Sequence, residues 1–145
     1  MKALKYLLIA LLVGTATQVE AKRAQRVQTP HMYVFGFSAS FQDSIVYLTD
    51  IQDLQGAWVD KKTKDLAGQD NYSLQMKNHL AEQLHLSPRV CMVFFATSKK
   101  SAEKKYLKLR KKYVGTPKRP ATYEVRYLSE QDFRFEIIDM SEEQQ

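Results

Sequence analysis

The side chains that could catalyse hydrolysis or group transfer are few in this sequence and far apart. Cys91 is the one cysteine among 145 residues, and the histidines are His31, His79 and His85. A nucleophilic cysteine needs an exposed position and a neighbouring histidine that lowers the pKa of its thiol. Cys91 instead falls within the apolar run 90–96, where a cysteine commonly behaves as a small hydrophobic side chain. The sequence therefore favours a structural role for Cys91.

The histidines and carboxylates show no spacing typical of a metal site. His79 and His85 are six residues apart, whereas two metal ligands on one helical face are three or four residues apart. Carboxylates that could serve acid–base chemistry or hold a hard cation lie in one loop-rich region. They are Asp43, Asp50, Asp53, Asp60 and Asp65. Their spacing does not match a calcium-binding loop, so we predict solvated loop acids, no metal and no cofactor.

The most unusual feature is a basic segment between residues 99 and 119, which contains ten lysines and arginines and one acid, Glu103. The charge surrounds an apolar helical stripe formed by Ala102, Tyr106, Leu109 and Tyr113. Such a surface attracts anionic lipids, glycans or other phosphate-rich partners. The residues predicted to bind an anionic surface are Lys104, Lys105, Lys108, Arg110, Lys111 and Lys112. The alternative is a solvated helix whose lysines keep the domain soluble.

The elements that must position these residues follow from local patterns. Two β-branched and aromatic runs, 32–37 and 44–49, predict an antiparallel hairpin. Ser73 is the predicted cap of a helix that carries Met76, Leu80 and Leu84 and ends before Pro88. Ser98 or Ser101 caps the basic helix, which ends before Gly115.

The remaining patterns predict three more strands. The run 90–96 lacks alternation, as expected of a central strand covered on both faces, and 123–127 and 133–137 alternate like half-exposed strands. Strand 90–96, helix 101–113 and strand 122–128 suggest a crossover that joins a parallel pair. Gly36 within the first strand indicates a bulge or a close backbone approach.

These elements predict an α+β fold in the order ββαβαββ. The expected architecture is a single mixed sheet of about five strands with two helices packed on it. The domain should span 31–139, between a flexible leader at 22–30 and an acidic tail at 140–145. Since Cys91 is the only cysteine, the fold has no internal disulfide.

The first residues predict export. Lys2 and Lys5 precede the apolar run 7–13, and small residues lead to a cleavage site after Ala21. The apolar run is too short to span a bilayer, so we predict a signal peptide at 1–21 and no transmembrane segment after its removal. The residue directly after Ala21 is Lys22 and not the cysteine that acylation of a lipoprotein requires. The predicted location is therefore periplasmic or secreted.

Two adjacent stretches carry a resemblance. Residues 31–41, HMYVFGFSASF, and 43–52, DSIVYLTDIQ, resemble the opening of small exported proteins of unknown function from Bacteroidetes. The likeness extends over most of the chain after the signal, including DFRF at 132–135. It implies a Gram-negative envelope and a periplasmic or outer-membrane-associated location. It transfers no site residue to this chain.

Taken together, these features predict a non-enzymatic exported envelope module. It would bind a protein partner, an anionic lipid or an anionic glycan through the basic helix, and nucleic acid is not an expected partner. One alternative is a small hydrolase or transferase that combines Cys91 with a histidine and the aspartate-rich loop. Another is an interaction domain that docks a partner on a sheet edge or on strand 123–127.

Overall fold

A computed structural model describes residues 25–86 and 89–141 of the chain. The predicted signal peptide, 1–21, lies outside the described residues, as does the end of the predicted acidic tail, 142–145. The described part is α+β, as predicted. Its helices are α1 (Gln69–Gln83) and α2 (Lys99–Val114). Its strands are β1 (Arg26–Gln28), β2 (Tyr33–Ala39), β3 (Ile45–Thr49), β4 (Gln52–Asp53), β5 (Trp58–Asp60), β6 (Val90–Ala96), β7 (Gly115–Thr116), β8 (Arg119–Pro120) and β9 (Glu124–Leu128).

The prediction of a single sheet is wrong, because the described strands form three sheets. The largest is mixed and five-stranded, and β2 lies at its centre. Antiparallel β6 occupies one edge of β2, while β3 and β4 follow one another along its other edge. The remaining sheets are the two-stranded pairs β1–β5 and β7–β8. These short pairs form where the chain folds back on itself outside the main sheet.

The main sheet contains a parallel pair, but the two strands that form it are not the two that the sequence predicted. The antiparallel hairpin of β2 and β3 is confirmed, but the parallel partner of β9 is β3 rather than β6. The pairing directions make β6 and β9 parallel to each other at opposite edges of the sheet. The connection through α2 therefore passes over two intervening strands.

The expectation that 90–96 is the central strand is also wrong. In the part of the chain that the structure describes, β6 pairs only with β2 and is an edge strand. Val90 and Met92 are 51% and 49% exposed. Phe94 and Ala96 are covered better, so the run is apolar without being buried along its whole length. Strand β2 is the buried strand instead, since five of its seven residues are buried.

The two helices cover opposite faces of the main sheet. Successive side chains of a strand point to opposite faces, and Val34 packs with the α1 cluster while Phe35 and Phe37 pack with α2. On the α2 face, Phe35 lies 5.4 Å from Tyr106 in an edge-on arrangement. The predicted stripe of α2 is confirmed, because Tyr106, Leu109 and Tyr113 pack against this cluster.

Gly36 marks a close approach between the sheet and α1, one of the two outcomes that its position predicted. A Cβ atom at Gly36 would lie 2.6 Å from the Met76 sulfur and 3.1 Å from the Phe135 ring. The backbone N–H of Gly36 donates to the Thr49 hydroxyl at 2.8 Å. A side chain at this position would therefore separate α1 from β2.

Replacing Gly36 with alanine is expected to lower the free energy of unfolding by about 2 kcal/mol through overpacking. Urea denaturation measures this change. In a Met76→Ala background the same replacement should cost less, because the atom it meets first has been removed. An equal cost in both backgrounds would show that Met76 is not the cause.

Three further segments differ from their predictions: the leader, residues 133–137 and the start of the first helix. Within the leader predicted to be flexible, residues 26–28 form β1 and pair with β5. In 133–137, Phe133 and Phe135 are buried as the alternation predicted, but Ile137 is 44% exposed. The segment forms no strand; side-chain amides of Gln52 and Gln75 bond its backbone instead. The first helix begins after Gly68, and Ser73, its predicted cap, lies inside it and donates to the Gln69 carbonyl.

Candidate functional site

Helix α2 presents its basic residues to solvent because its apolar stripe docks on the sheet. Ser98 caps its N-terminus, as one of the two predicted caps, by accepting a hydrogen bond from the Ser101 N–H at 3.2 Å. Ala102 is fully buried at the first contact with the sheet. The lysines lie on the remaining faces and are exposed. Local capping and periodicity thus produce a basic surface that is exposed to solvent.

The C-terminal end of α2 turns sharply into the β7–β8 hairpin. The N–H of Gly115 donates to the Lys111 carbonyl, and the φ angle of Gly115 is +77°. A Cβ atom there would lie 2.5 Å from the backbone nitrogen of Ala121 and 2.7 Å from the Arg119 carbonyl oxygen. Only glycine permits both this backbone conformation and this approach. The hairpin therefore folds back close to the end of α2.

An open cavity of about 800 Å³ lies between the last turns of α2 and residues 115–123. Its lining is mainly apolar. The apolar side chains are Phe94, Leu109, Tyr113, Pro120, Ala121 and Tyr123. The rings of Tyr113 and Tyr123 meet edge to face, with centroids 5.1 Å apart, and Tyr123 is 43% exposed. This apolar lining is called the floor of the cavity below.

The charged side chains of the cavity all have the same sign. They are Lys105, Lys108, Lys111, Lys112 and Arg119, and no acid of the described chain lines the cavity. The ion pairs of the described residues are elsewhere: His31–Asp53, Arg89–Asp43, Arg126–Glu124 and Arg134–Glu130. Five like charges around an apolar floor create a positive potential that favours an anionic ligand. These five residues are called the basic rim.

Four of the six residues predicted to bind an anionic surface line the cavity, and two do not. Lys105, Lys108, Lys111 and Lys112 belong to the basic rim. Lys105 also donates to the Phe95 carbonyl oxygen at 2.7 Å, so its ammonium group covers part of the β6 edge.

The other two selected residues point away from the cavity. Lys104 is exposed and does not line it. Arg110 donates from Nε to the Tyr127 hydroxyl at 2.8 Å, beside β9. This bond raises the pKa of Arg110, which stays charged.

Sequence reasoning missed Arg119 as a site residue. It lies across the turn from α2 and joins the rim because the hairpin folds back. The sequence contains a signal for this: the basic run continues to Arg119 beyond Gly115 and Pro117, two residues that favour a turn. The apolar floor also escaped prediction, because Phe94 and Tyr123 belong to the segments on either side of α2, and the period of a helix does not specify how its flanking segments pack against it.

Cys91 lies on the α1 face of the sheet and is half-buried. Its thiol donates to the Ser38 hydroxyl at 3.5 Å, and burial raises the pKa of the thiol. Among the described residues, this is its one side-chain hydrogen bond, and no histidine participates. A raised pKa disfavours the thiolate that a nucleophile requires.

The histidines and aspartates are dispersed over separate contacts. His31 contacts Asp53 at 2.7 Å, and the His79 ring packs 4.9 Å from that of Phe133. Asp60 accepts hydrogen bonds from the N–H groups of its own turn, which lower its pKa. Across residues 25–86 and 89–141, no group of three or more histidines, cysteines or acids is placed to hold a metal ion.

Neither helix of the described chain combines the length and apolarity that crossing a membrane requires. No protein-family model, no curated protein and no solved structure matches the chain. The cavity beside α2, with its geometry and charge, is therefore the feature of the described chain that bears on function.

Proposed function

We propose that this chain is a non-enzymatic, exported binding module that recognises an anionic partner through the basic rim and the cavity beside α2. One observation carries the proposal: five cations surround one concave apolar surface that no acid of the described chain lines. The export signal and the resemblance to envelope proteins support a periplasmic or secreted location, where the partner would be an anionic lipid, a glycan or a protein.

The rim is suited to binding because its charges are concentrated. Among the described residues these cations form no ion pair with an acid, and cations at the edge of an apolar surface attract anions and raise the rate at which anionic partners arrive. Each lysine near an anionic membrane surface contributes about 1 kcal/mol to attraction. Exposed apolar side chains such as Tyr123 can then contact the partner at short range.

Binding to vesicles that contain phosphatidylglycerol tests the proposal. Replacing Lys108, Lys111 and Lys112 together with glutamine is expected to weaken vesicle binding about 100-fold at low ionic strength. Co-sedimentation over a salt series measures the change. Binding of the native chain should fall as salt rises, because ions screen exposed charges beyond about 10 Å at 0.1 M.

A matched variant separates the rim from net charge alone. Replacing Lys99, Lys100 and Lys104 with glutamine removes the same charge from the same helix, but none of these lysines lines the cavity. Lys99 and Lys100 lie about 12 Å or more from Lys108, the nearest replaced lysine of the rim, along the helix axis. This variant should therefore weaken binding less than about tenfold. Equal losses in the two variants, or binding that salt does not change, would contradict the proposal.

A further inference from the structure

The cavity has more apolar surface than recognition of charge alone requires. Its floor of aromatic and aliphatic side chains is concave and open, and its volume of about 800 Å³ is that of a ligand pocket. Pockets for small ligands occupy roughly 300–1,000 Å³ and are lined mainly by apolar groups. A partner that presented only charged groups would leave this floor in contact with water.

We propose that the cavity binds a long-chain fatty acid as its carboxylate, with the alkyl chain on the floor and the carboxylate at the basic rim. The inference rests on the proposed function and names the ligand class of the same site. Charge complementarity supports it, because the rim carries five cations and no acid of the described chain lines the cavity. An amphiphile with one anionic end matches both parts of the cavity.

The rim and the floor have separate tasks in this arrangement. Arg119 and the lysines of α2 surround the opening, and a guanidinium group pairs with a carboxylate through two parallel N–H groups. The rings of Tyr113 and Tyr123 meet at the floor and provide apolar contact for methylene groups. Lys105 is engaged with the Phe95 carbonyl, so Lys108, Lys111, Lys112 and Arg119 are the expected carboxylate partners.

Two comparisons of ligands test the two parts. Affinity measured by calorimetry should rise about 15-fold from octanoate to decanoate, since each of the two added methylenes that leaves water contributes about fourfold. Laurate should bind at least about tenfold tighter than dodecyltrimethylammonium, whose alkyl chain is one methylene longer and whose charge is opposite. An affinity that does not depend on chain length, or equal binding of the cationic amphiphile, would overturn the inference.

One substitution blocks the cavity without changing its charge. Ala121 is exposed and lines the cavity, so Ala121→Trp places an indole inside it and keeps every cation of the rim. Laurate binding should fall at least about tenfold, and binding to anionic vesicles should persist. Ala81→Trp is the matched control: Ala81 is exposed on α1, so the same change there should leave laurate affinity unaltered.

A second variant keeps the test decisive if Ala121→Trp does not fold, as judged by circular dichroism. Tyr123→Ser removes an exposed part of the floor and should weaken laurate binding about tenfold. If the native chain binds anionic vesicles but not laurate, the inference fails and the proposed function stands. If laurate binds, but the chain does not bind anionic vesicles or binds them with an affinity that salt does not change, the electrostatic proposal fails instead. Laurate affinity unchanged in both floor variants would also overturn the inference.

Discussion

Replacing Gln52 with methionine is expected to lower the free energy of unfolding by about 3 kcal/mol. The Gln52 side chain is buried, and its amide donates to the Phe133 carbonyl oxygen at 2.9 Å and accepts from the Phe135 N–H at 2.8 Å. Methionine keeps the volume but leaves two buried backbone groups without a partner. Chemical denaturation followed by circular dichroism measures the loss.

Gln75 provides the matched control for this prediction. Its amide makes the same pair of bonds to one residue, Glu136, at 2.8 and 2.9 Å, but at an exposed position. Water can replace those bonds, so Gln75→Met should cost less than about 1 kcal/mol. Equal costs for the two variants would show that burial of the amide does not decide its contribution.

Replacing Arg89 with methionine is expected to lower the free energy of unfolding by about 2 kcal/mol at neutral pH, because its acceptors lose their donor although the Asp43 side chain is 38% exposed. The Arg89 side chain is 3% exposed, and its guanidinium donates to both carboxylate oxygens of Asp43, at 2.7 and 3.2 Å. It also donates to the Ile45 carbonyl and lies over the Tyr47 ring, 5.2 Å from the centroid. The variant removes a buried cation that joins the β2–β3 loop to the start of β6.

The same ion pair predicts a dependence on pH. The hydrogen bond from Arg89 holds the pKa of Asp43 below its ordinary value of 3.8, and the Ile45 N–H lowers it further. A carboxyl group with a depressed pKa stabilises the fold above its unfolded pKa, and this contribution is lost as pH falls through the folded pKa. The difference in stability between the native chain and Arg89→Met should therefore shrink below pH 3.8.

An exposed ion pair serves as the control. Arg134 and Glu130 are 3.5 Å apart, with side chains 72% and 43% exposed. Arg134→Met should change the free energy of unfolding by less than about 0.5 kcal/mol at any of these pH values. A stability difference for Arg89→Met that stays constant down to the lowest pH would contradict the role of Asp43.

Sequence patterns predicted burial more accurately than pairing. In 133–137 the alternation correctly places Phe133 and Phe135 in the core. It does not reveal that side-chain amides, rather than a neighbouring strand, bond the backbone there. The apolar run 90–96 likewise indicated a strand but not its place at the edge, since its residues pack against both helix clusters even though only one neighbouring strand pairs with it. Alternation reports the environment of side chains and carries no information about which backbone lies beside them.

The order of the strands in the main sheet could not be predicted from the sequence, for a related reason. The choice of β3 rather than β6 as the parallel partner of β9 depends on contacts between segments about 80 residues apart, as in Val46 with Val125. Such pairing is selected by packing of the whole sheet, and many registers satisfy one local pattern. The two-stranded pairs were missed because two or three residues are too few to show a period.

The sequence by itself determined that basic residues surround an apolar stripe on α2, and that the helix runs from a serine cap to a glycine. Those properties depend on residues within a few positions of one another, such as Ser98 with Ser101 and Gly115 with Lys111. Only the tertiary structure decided which cations surround a cavity. The docking of Tyr106 and Tyr113 on the sheet and the return of the hairpin bring Lys108 and Lys112 toward Arg119 and Tyr123, while Lys104 and Arg110 face elsewhere. All residues that line the cavity lie between 94 and 123, but its concave shape depends on how the segments on either side of α2 fold back onto the helix, and periodicity along one helix does not specify this.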